Sequence, residues 1–369
     1  MLLKLVSNML ARPATPGAPP PSAYAPAPIA MAPPEMHAPV SAAPVDDVVE
    51  QAPSAAPTSI AEMENAKLLD DLYFRRRQLA LSWDQAYYAG LQLVETLLAH
   101  PSLDDPKRLE RFGGKTYSQN EEDGIIAEIF HRIGAPHRTF VEFGCGDGME
   151  NNTACLLSQG WRGLWMDGGE DNASGIQNAY RHLIERDLLQ FRHVFIDRDN
   201  VNELIAQAGL GPEIDLLSID LDGNDYHLWE AIDSVSARVV VIEYNAKFLP
   251  RHDWCMTYNP QHMWVGSDLM GCSLAGLARL GAAKGYRLVG CNITGSNAFF
   301  VRADVAGDRF AEPATPEHLY QPARYALSRC FVVGHPANTQ TIVQGALAAA
   351  GVAWVPDPSD FFLKHINLP

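Results

Sequence analysis

The sequence predicts an α/β fold, Rossmann-like in type: a seven-stranded, mostly parallel sheet with an antiparallel last strand and helices on both faces. Three observations carry this. Short apolar runs alternate with helix-like segments from about Arg111 to Val301. Several of those runs reach an acid at or near their ends. The first of them leads straight into a glycine turn, Gly144-Cys145-Gly146-Asp147-Gly148.

Taken in order, the chain opens with MLLKLVSNMLARP, too short and polar for a membrane span. Residues 1–58 are dominated by Pro and Ala without periodicity, a composition that cannot bury enough surface to offset ordering, so a disordered tail is expected. Residues 59–108 place Leu68, Leu69, Leu72, Leu79, Leu81, Leu91, Val94, Leu97 and Leu98 among charges, the pattern of one or two amphipathic helices that pack on the domain or on a second copy of it. The main domain spans 109–306. Ile125 to Gly134 reads as a helix, Thr139 to Gly144 as a buried strand, and Asn151 to Gly160 as a helix. Strands follow at Gly163 to Asp167, His193 to Asp197, Asp215 to Asp222 and Ala237 to Tyr244. A helix and a sixth strand occupy Ser273 to Asn292, and Asn297 to Arg302 is the seventh. The connection from Ile293 to Ser296 is too short for a right-handed crossover, so the seventh strand is antiparallel. Residues 307–369 form a C-terminal extension to which the sequence assigns no chemistry.

Composition excludes some classes of function. The net charge of −16 repels a phosphate backbone, and no basic patch offsets it, so nucleic acid is not an expected partner. Six cysteines (Cys145, Cys155, Cys255, Cys272, Cys291 and Cys330) lack CxxC spacing. Neither a zinc site nor a disulfide framework is indicated, and a reducing, cytoplasmic address is the default. Cys145 has no base beside it in sequence and reads as a small packed residue rather than a nucleophile.

The chemistry-bearing residues gather at strand ends, where open α/β sheets bind ligands. Gly144, Gly146 and Gly148 follow a GxGxG spacing rather than the GxGxxG of dinucleotide sites, and let the backbone turn sharply beside a nucleoside. Glu142, two residues ahead, would repel a pyrophosphate but suits a cationic sulfonium ligand. Asp167 can accept from both hydroxyls of a ribose. Asp197 can accept from an adenine amino group, or residues 199 and 200 after it can simply cap a helix. Asp220, Asp222 and Asp225 crowd one glycine at the end of the fourth strand, a place from which a carboxylate can remove a hydroxyl proton. Asp222, Glu243 and Asn245 are either oxygen ligands for Mg²⁺ or, without a metal, groups that orient substrate hydroxyls. Lys247 to Asp268 adds Arg251, His252, Trp254, Tyr258, His262 and Trp264, an aromatic and hydrogen-bonding mixture that fits a sugar face or else packs on itself. His252 and His262 are reserve candidates for the general base.

Together Tyr117-Ser118-Gln119-Asn120-Glu121-Glu122-Asp123-Gly124, VEFGCGDG, SIDLDGNDY and IEYN resemble the FkbM-type class I methyltransferases over about Thr116 to Arg302. The resemblance implies S-adenosylmethionine as methyl donor and a hydroxyl on a glycan or other small molecule as acceptor. By motif it puts Gln119 and Asp123 near the methionine end of the cofactor, and Asp220 among the cofactor contacts as well as the candidate bases. Independently, SQNEEDG reads as a capped helix start, with Ser118 as cap and Glu121 three residues on. The chain departs from the family pattern at Asp222, where Glu is usual. DGNDY is also similar to the acidic strand end of macrocin-type, metal-dependent sugar O-methyltransferases, which keeps Mg²⁺ and the choice of base between Asp220 and Asp222 open. Two other readings stand beside this one: a non-catalytic scaffold that binds a protein partner through residues 60–100 and the C-terminal extension, and a nicotinamide-dependent oxidoreductase, which the glycine spacing disfavours.

Overall fold

Seven segments become strands, and the inner ones bury both of their faces. In the computed structural model, which describes residues 60–264 and 266–331, these are β1 (Thr139–Phe143), β2 (Arg162–Asp167), β3 (Leu189–His193), β4 (Glu213–Ile219), β5 (Ser236–Glu243), β6 (Tyr286–Cys291) and β7 (Asn297–Arg302). The expected tail of residues 1–58, the side chain of Cys330 and the extension from residue 332 onward lie outside the described residues.

The strands pair in the order β3-β2-β1-β4-β5-β7-β6. The ladders among β3, β2, β1, β4 and β5 are parallel, and β7 runs antiparallel between β5 and β6. This is the sheet of the class I methyltransferase, Rossmann-like fold. Period-two alternation divides the side chains between two cores. Val141, Leu217, Val240 and Phe300 enter one; Phe140, Leu216, Val239 and Phe299 enter the other. All eight are fully or almost fully buried, at about 2 kcal/mol of transfer free energy for each large side chain. A strand buried on both faces shows no polar alternation, which is why the runs read as continuous in sequence.

Helices cover both faces: α2 (Glu122–Ile133), α3 (Ala154–Ser158), α4 (Glu170–Ala179), α5 (Arg181–Ile184), α6 (Val201–Ala206), α7 (Asp225–Ala231) and α8 (Leu274–Ala283), then the short α9 (Ala303–Ala306) and α10 (Pro316–Leu319). Ahead of them, α1 (Ile60–Leu98) is one helix. Compact units divide within it, at Leu69/Asp70. Among the described side chains, those in the last turns of α1 pack: Leu91 and Val94 form a small cluster with Ile293 and Leu327. Leu72, Tyr73, Phe74, Leu79, Leu81 and Trp83 are exposed, so among the described side chains the expected amphipathic packing is seen at the C-terminal end. No helix among the described residues is long and apolar enough to cross a membrane.

Two expectations need correction. The third strand lies at Leu189–His193, four residues before the expected His193 to Asp197. Its sole neighbour, β2, ends at Asp167, which is in register with His193; past that point no partner remains, and Phe195 is exposed. The expected cap of α2 also does not form. The helix starts at Glu122 behind Glu121, with no side-chain cap bond. Ser118 instead accepts from the Asp123 N–H through its hydroxyl (3.2 Å), while Glu121 accepts from the backbone N–H and hydroxyl of Thr294 (3.0 and 2.9 Å).

Candidate active site

The parallel strands present their C-terminal ends along one edge, and the chain order reverses between β1 and β4. Ligands bind at such a switch point. Gly144, leaving β1, has φ +68°, and a Cβ there would lie 1.7 Å from the Asp220 carbonyl oxygen. It is glycine because β1 and β4 converge. Gly146 has φ +54°, and a Cβ built on it meets nothing within 4 Å. Its surroundings are open. Gly148 is crowded by Tyr180 and Trp165, and its carbonyl accepts from the Tyr180 hydroxyl at 2.5 Å.

The acids on this side are engaged by the protein's own donors. Asp167 accepts from Gly146 N–H at 2.8 Å through one oxygen, and from Gly169 N–H (2.7 Å) and Asn172 (3.1 Å) through the other. Glu142 accepts from Asn152 N–H (2.8 Å), Thr153 N–H (3.2 Å) and the Thr153 hydroxyl. Both of its oxygens thus fix the start of α3, where the sequence had suggested a direct electrostatic contact with a cationic ligand. Burial pushes its carboxyl up to about 7 against those hydrogen bonds. Asp123 receives the N–H groups of Thr116, Tyr117 and Ser118 on a single oxygen (2.6–2.9 Å). It shapes the loop that carries Gln119, and its carboxyl is raised to about 6 by burial. Asp197, expected at a strand end, instead lies in the loop before α6 and accepts from the N–H groups of Asp199 and Asn200 (2.9 Å each). The cap expected of residues 199 and 200 does not form: Asn200 stands at the N-cap of α6 without a side-chain cap bond.

The β4 and β5 ends differ. Asp220, Asp222 and Glu243 converge, with one carboxylate oxygen of each within 4.8 Å of the others. Burial, then the neighbouring carboxylates, raise Asp220 and Glu243 well above the usual range; burial also raises Asp222, opposed by His262. Like charges this close favour either a retained proton or a bound cation. Asp222 sits at φ +52°, in a loop held by buried Asp225, which accepts from Leu221 N–H (2.7 Å) and Gly223 N–H (2.9 Å). Asn245 is a weaker ligand candidate than expected: its amide donates to the carbonyls of Asp268 (2.7 Å) and Met270 (3.0 Å), and its oxygen accepts from Lys247 N–H (3.1 Å). Asp220 completes the carboxylate trio.

A cavity of about 260 Å³ opens onto these groups; Gln119, Asp222, Glu243, Asn245, Trp264 and Tyr325 are on its wall. Of the two reserve bases, His262 lies close, with Nε2 donating to the Asp222 carbonyl at 3.1 Å, and packs where a Cβ on Gly223 would be. His252 is exposed and does not line the cavity. Trp254 stacks on Phe248 (4.5 Å) and Tyr258 lies against His227 and Arg198, so this loop is partly packed by its own aromatics, and only Trp264 of its expected sugar-facing rings reaches the wall.

Sequence reasoning missed Tyr325, which enters from the C-terminal extension with the Lys247 ammonium 5.7 Å from its ring centre. It also missed the buried set beneath Gln119: Glu122 accepts from Asn120, Asn292 and Asn297 side chains (2.8–3.1 Å). The only available signal was the run Glu121-Glu122-Asp123, too acidic for an ordinary buried helix start.

No family model and no curated protein sequence matches the chain. The chain is similar in structure to S-adenosylmethionine-dependent methyltransferases. One, from Clostridium acetobutylicum, is 12% identical and aligns over 48% of this chain and 88% of its own, with a TM-score of 0.30. An O-methyltransferase from Bacillus cereus in complex with SAH is 15% identical over 44% of this chain and 67% of its own, with a TM-score of 0.27. A third, a SAM-dependent methyltransferase from Aquifex aeolicus, is 12% identical over 57% of this chain and 96% of its own, with a TM-score of 0.26.

Proposed function

We propose that the protein is an S-adenosylmethionine-dependent O-methyltransferase of the FkbM type that methylates a hydroxyl of a glycan or another small molecule. One observation carries the reading. At the switch point of a class I sheet, a positive-φ glycine with open space beside it, Gly146, adjoins a strand-end carboxylate, Asp167, and the next two strand ends offer three converging acids beside a cavity.

The bound cofactor supplies an electrophilic methyl group for in-line transfer to an acceptor oxygen. Asp167 can exchange its Gly146 bond for the ribose hydroxyls, and Gln119, exposed on the rim, is placed for the methionine end. Trp264 and Tyr325 offer flat apolar faces to a sugar ring, which restricts the acceptor's orientation. Asp222 is the favoured proton acceptor because it lines the cavity and its carboxyl is raised toward the working pH by burial. Asp220, partly buried beside it, is raised further by burial and by the neighbouring carboxylates, and so is placed to retain a proton. The trio Asp220, Asp222 and Glu243 also fits Mg²⁺, a hard cation that takes carboxylate oxygens and would acidify an acceptor hydroxyl.

Isothermal titration of the protein with S-adenosylhomocysteine is the deciding experiment. Binding is expected, and Gly146→Val should abolish it by filling the open side of the turn. Absence of heat at millimolar ligand would remove the enzyme reading. It would leave the second one, a scaffold, which the exposed Leu72, Tyr73, Phe74 and Leu79 on α1 favour.

A further inference from the structure

The stretch between β5 and α8 folds back so that two cysteines distant in sequence meet. Cys255 and Cys272 are partners in an isolated antiparallel bridge. Met256 donates its N–H to the Gly271 carbonyl at 2.9 Å, and Ser273 donates to the Trp254 carbonyl at 2.8 Å. These two bonds flank the cysteines, which makes them the non-hydrogen-bonded pair of the bridge. Residues so paired have Cα atoms roughly 4.5 Å apart and side chains on one face, closer than in a hydrogen-bonded pair. A disulfide accepts Cα separations of about 4.4–6.8 Å.

Neither cysteine is in a disulfide, and they are chemically unequal. Cys255 is half-buried, with its sulfur 3.9 Å from His227 Nε2. Cys272 is buried, its sulfur lying 2.5 Å from where a Cβ on Gly276 would be. A hydrogen bond with Cys255, and then burial, hold the Cys272 thiol protonated far above its ordinary range.

We propose that Cys255 and Cys272 are a redox modification site, closing to a cross-strand disulfide by exchange with a low-molecular-weight disulfide. Cys255, as thiolate, attacks one sulfur of RS–SR, expelling one RS⁻ and forming a mixed disulfide. Cys272 then gives up its proton and displaces the second RS⁻ from Cys255. The sum is two protein thiols and RS–SR converted to one protein disulfide and two RSH, with no other oxidant required. A bond with one half-buried, partly accessible sulfur can be reached by a reducing thiol and so reversed. Its consequence is local: the bridge tethers both ends of the segment that brings Trp264, Asp268, Met270 and Gly271 to the cavity wall, so oxidation restricts that wall's movement.

The test uses the full chain incubated with oxidised glutathione, alkylated, and digested without reductant for mass spectrometry. The expected product joins the peptides of Cys255 and Cys272, two hydrogens lighter than their sum, and disappears with dithiothreitol. Cys272→Ala should retain glutathione on Cys255, whereas Cys255→Ala should leave Cys272 unmodified. A wild-type end product with glutathione on Cys255 and no cross-link, or both thiols still fully alkylated after oxidation, overturns the proposal.

Discussion

The two halves of the strand-end crevice use carboxylates in opposite ways. On the β1/β2 side, Glu142 and Asp167 are surrounded by backbone and side-chain donors, so their charge is matched and their geometry is part of the fold. On the β4/β5 side, Asp220, Asp222 and Glu243 face one another, and Asp225 alone is tied to the loop that carries them. A carboxylate with donors on both oxygens stabilises structure; one left among like charges costs stability and is available for a proton, a cation or a substrate. Removing Glu142 should damage the fold, and removing Asp222 should damage chemistry.

The largest expected effect tests the junction of the two halves. Gly144→Ala drives a Cβ into the Asp220 carbonyl and should cost on the order of 4 kcal/mol, read from denaturant unfolding. Gly146→Ala, which meets no neighbouring atom, should cost only about 1 kcal/mol, the strain of a positive φ. Equal losses would mean that the open space beside Gly146 is not real.

Next comes the direct contrast between the acids. Glu142→Gln removes an acceptor from buried N–H groups and should destabilise by about 2 kcal/mol. Asp222→Asn relieves like-charge crowding at a left-handed position that Asn tolerates. It should leave the melting temperature unchanged or slightly higher while lowering methyl transfer by roughly 10²–10⁴-fold. If the two variants lose stability equally, the division between structural and chemical acids fails.

The last test is a pH dependence. Glu121 is raised to about 8, Glu142 to about 7, and Asp123 and Asp225 to about 6, in each case chiefly by burial. These groups hold a proton more tightly folded than unfolded, where carboxylates titrate near about 4. Their contribution to stability is therefore complete below pH 4 and is lost as pH rises through 6 to 8. Unfolding free energy measured across that window should fall with pH, and Mg²⁺ should recover part of the loss at pH 8 if the β4/β5 trio binds it. A flat profile would show that the hydrogen bonds to these acids outweigh their burial.

Much of the fold was legible because it is written in local patterns. Val141, Leu217 and Val240 belong to continuous apolar runs, and the brevity of Ile293 to Ser296 forced an antiparallel last strand, as observed between β5 and β6. The end of β3 was not legible, since Val194 to Ile196 is as apolar as a strand and only the end of its neighbour β2 stops the pairing. Among site residues, Asp167, Asp222 and Glu243 were legible as acids at strand ends. The loop partners of the Asn245 amide, Asp268 and Met270, were not legible because they lie more than twenty residues away. Tyr325 was invisible because the extension carrying it has no motif.

The sequence by itself determined every strand but β3, that acids would stand at or near the ends of β1, β2, β4 and β5, and where the chain would turn on glycine. These depend on side-chain periodicity and backbone freedom, which are local. Only the tertiary structure decided which acid each donor would reach, that Asp220 would converge with Asp222 and Glu243, and that Cys255 would meet Cys272. A hydrogen bond, a charge cluster or a thiol pair acts over a few ångströms, and the residues that come within that range are selected by strand order and loop path, not by their spacing along the chain.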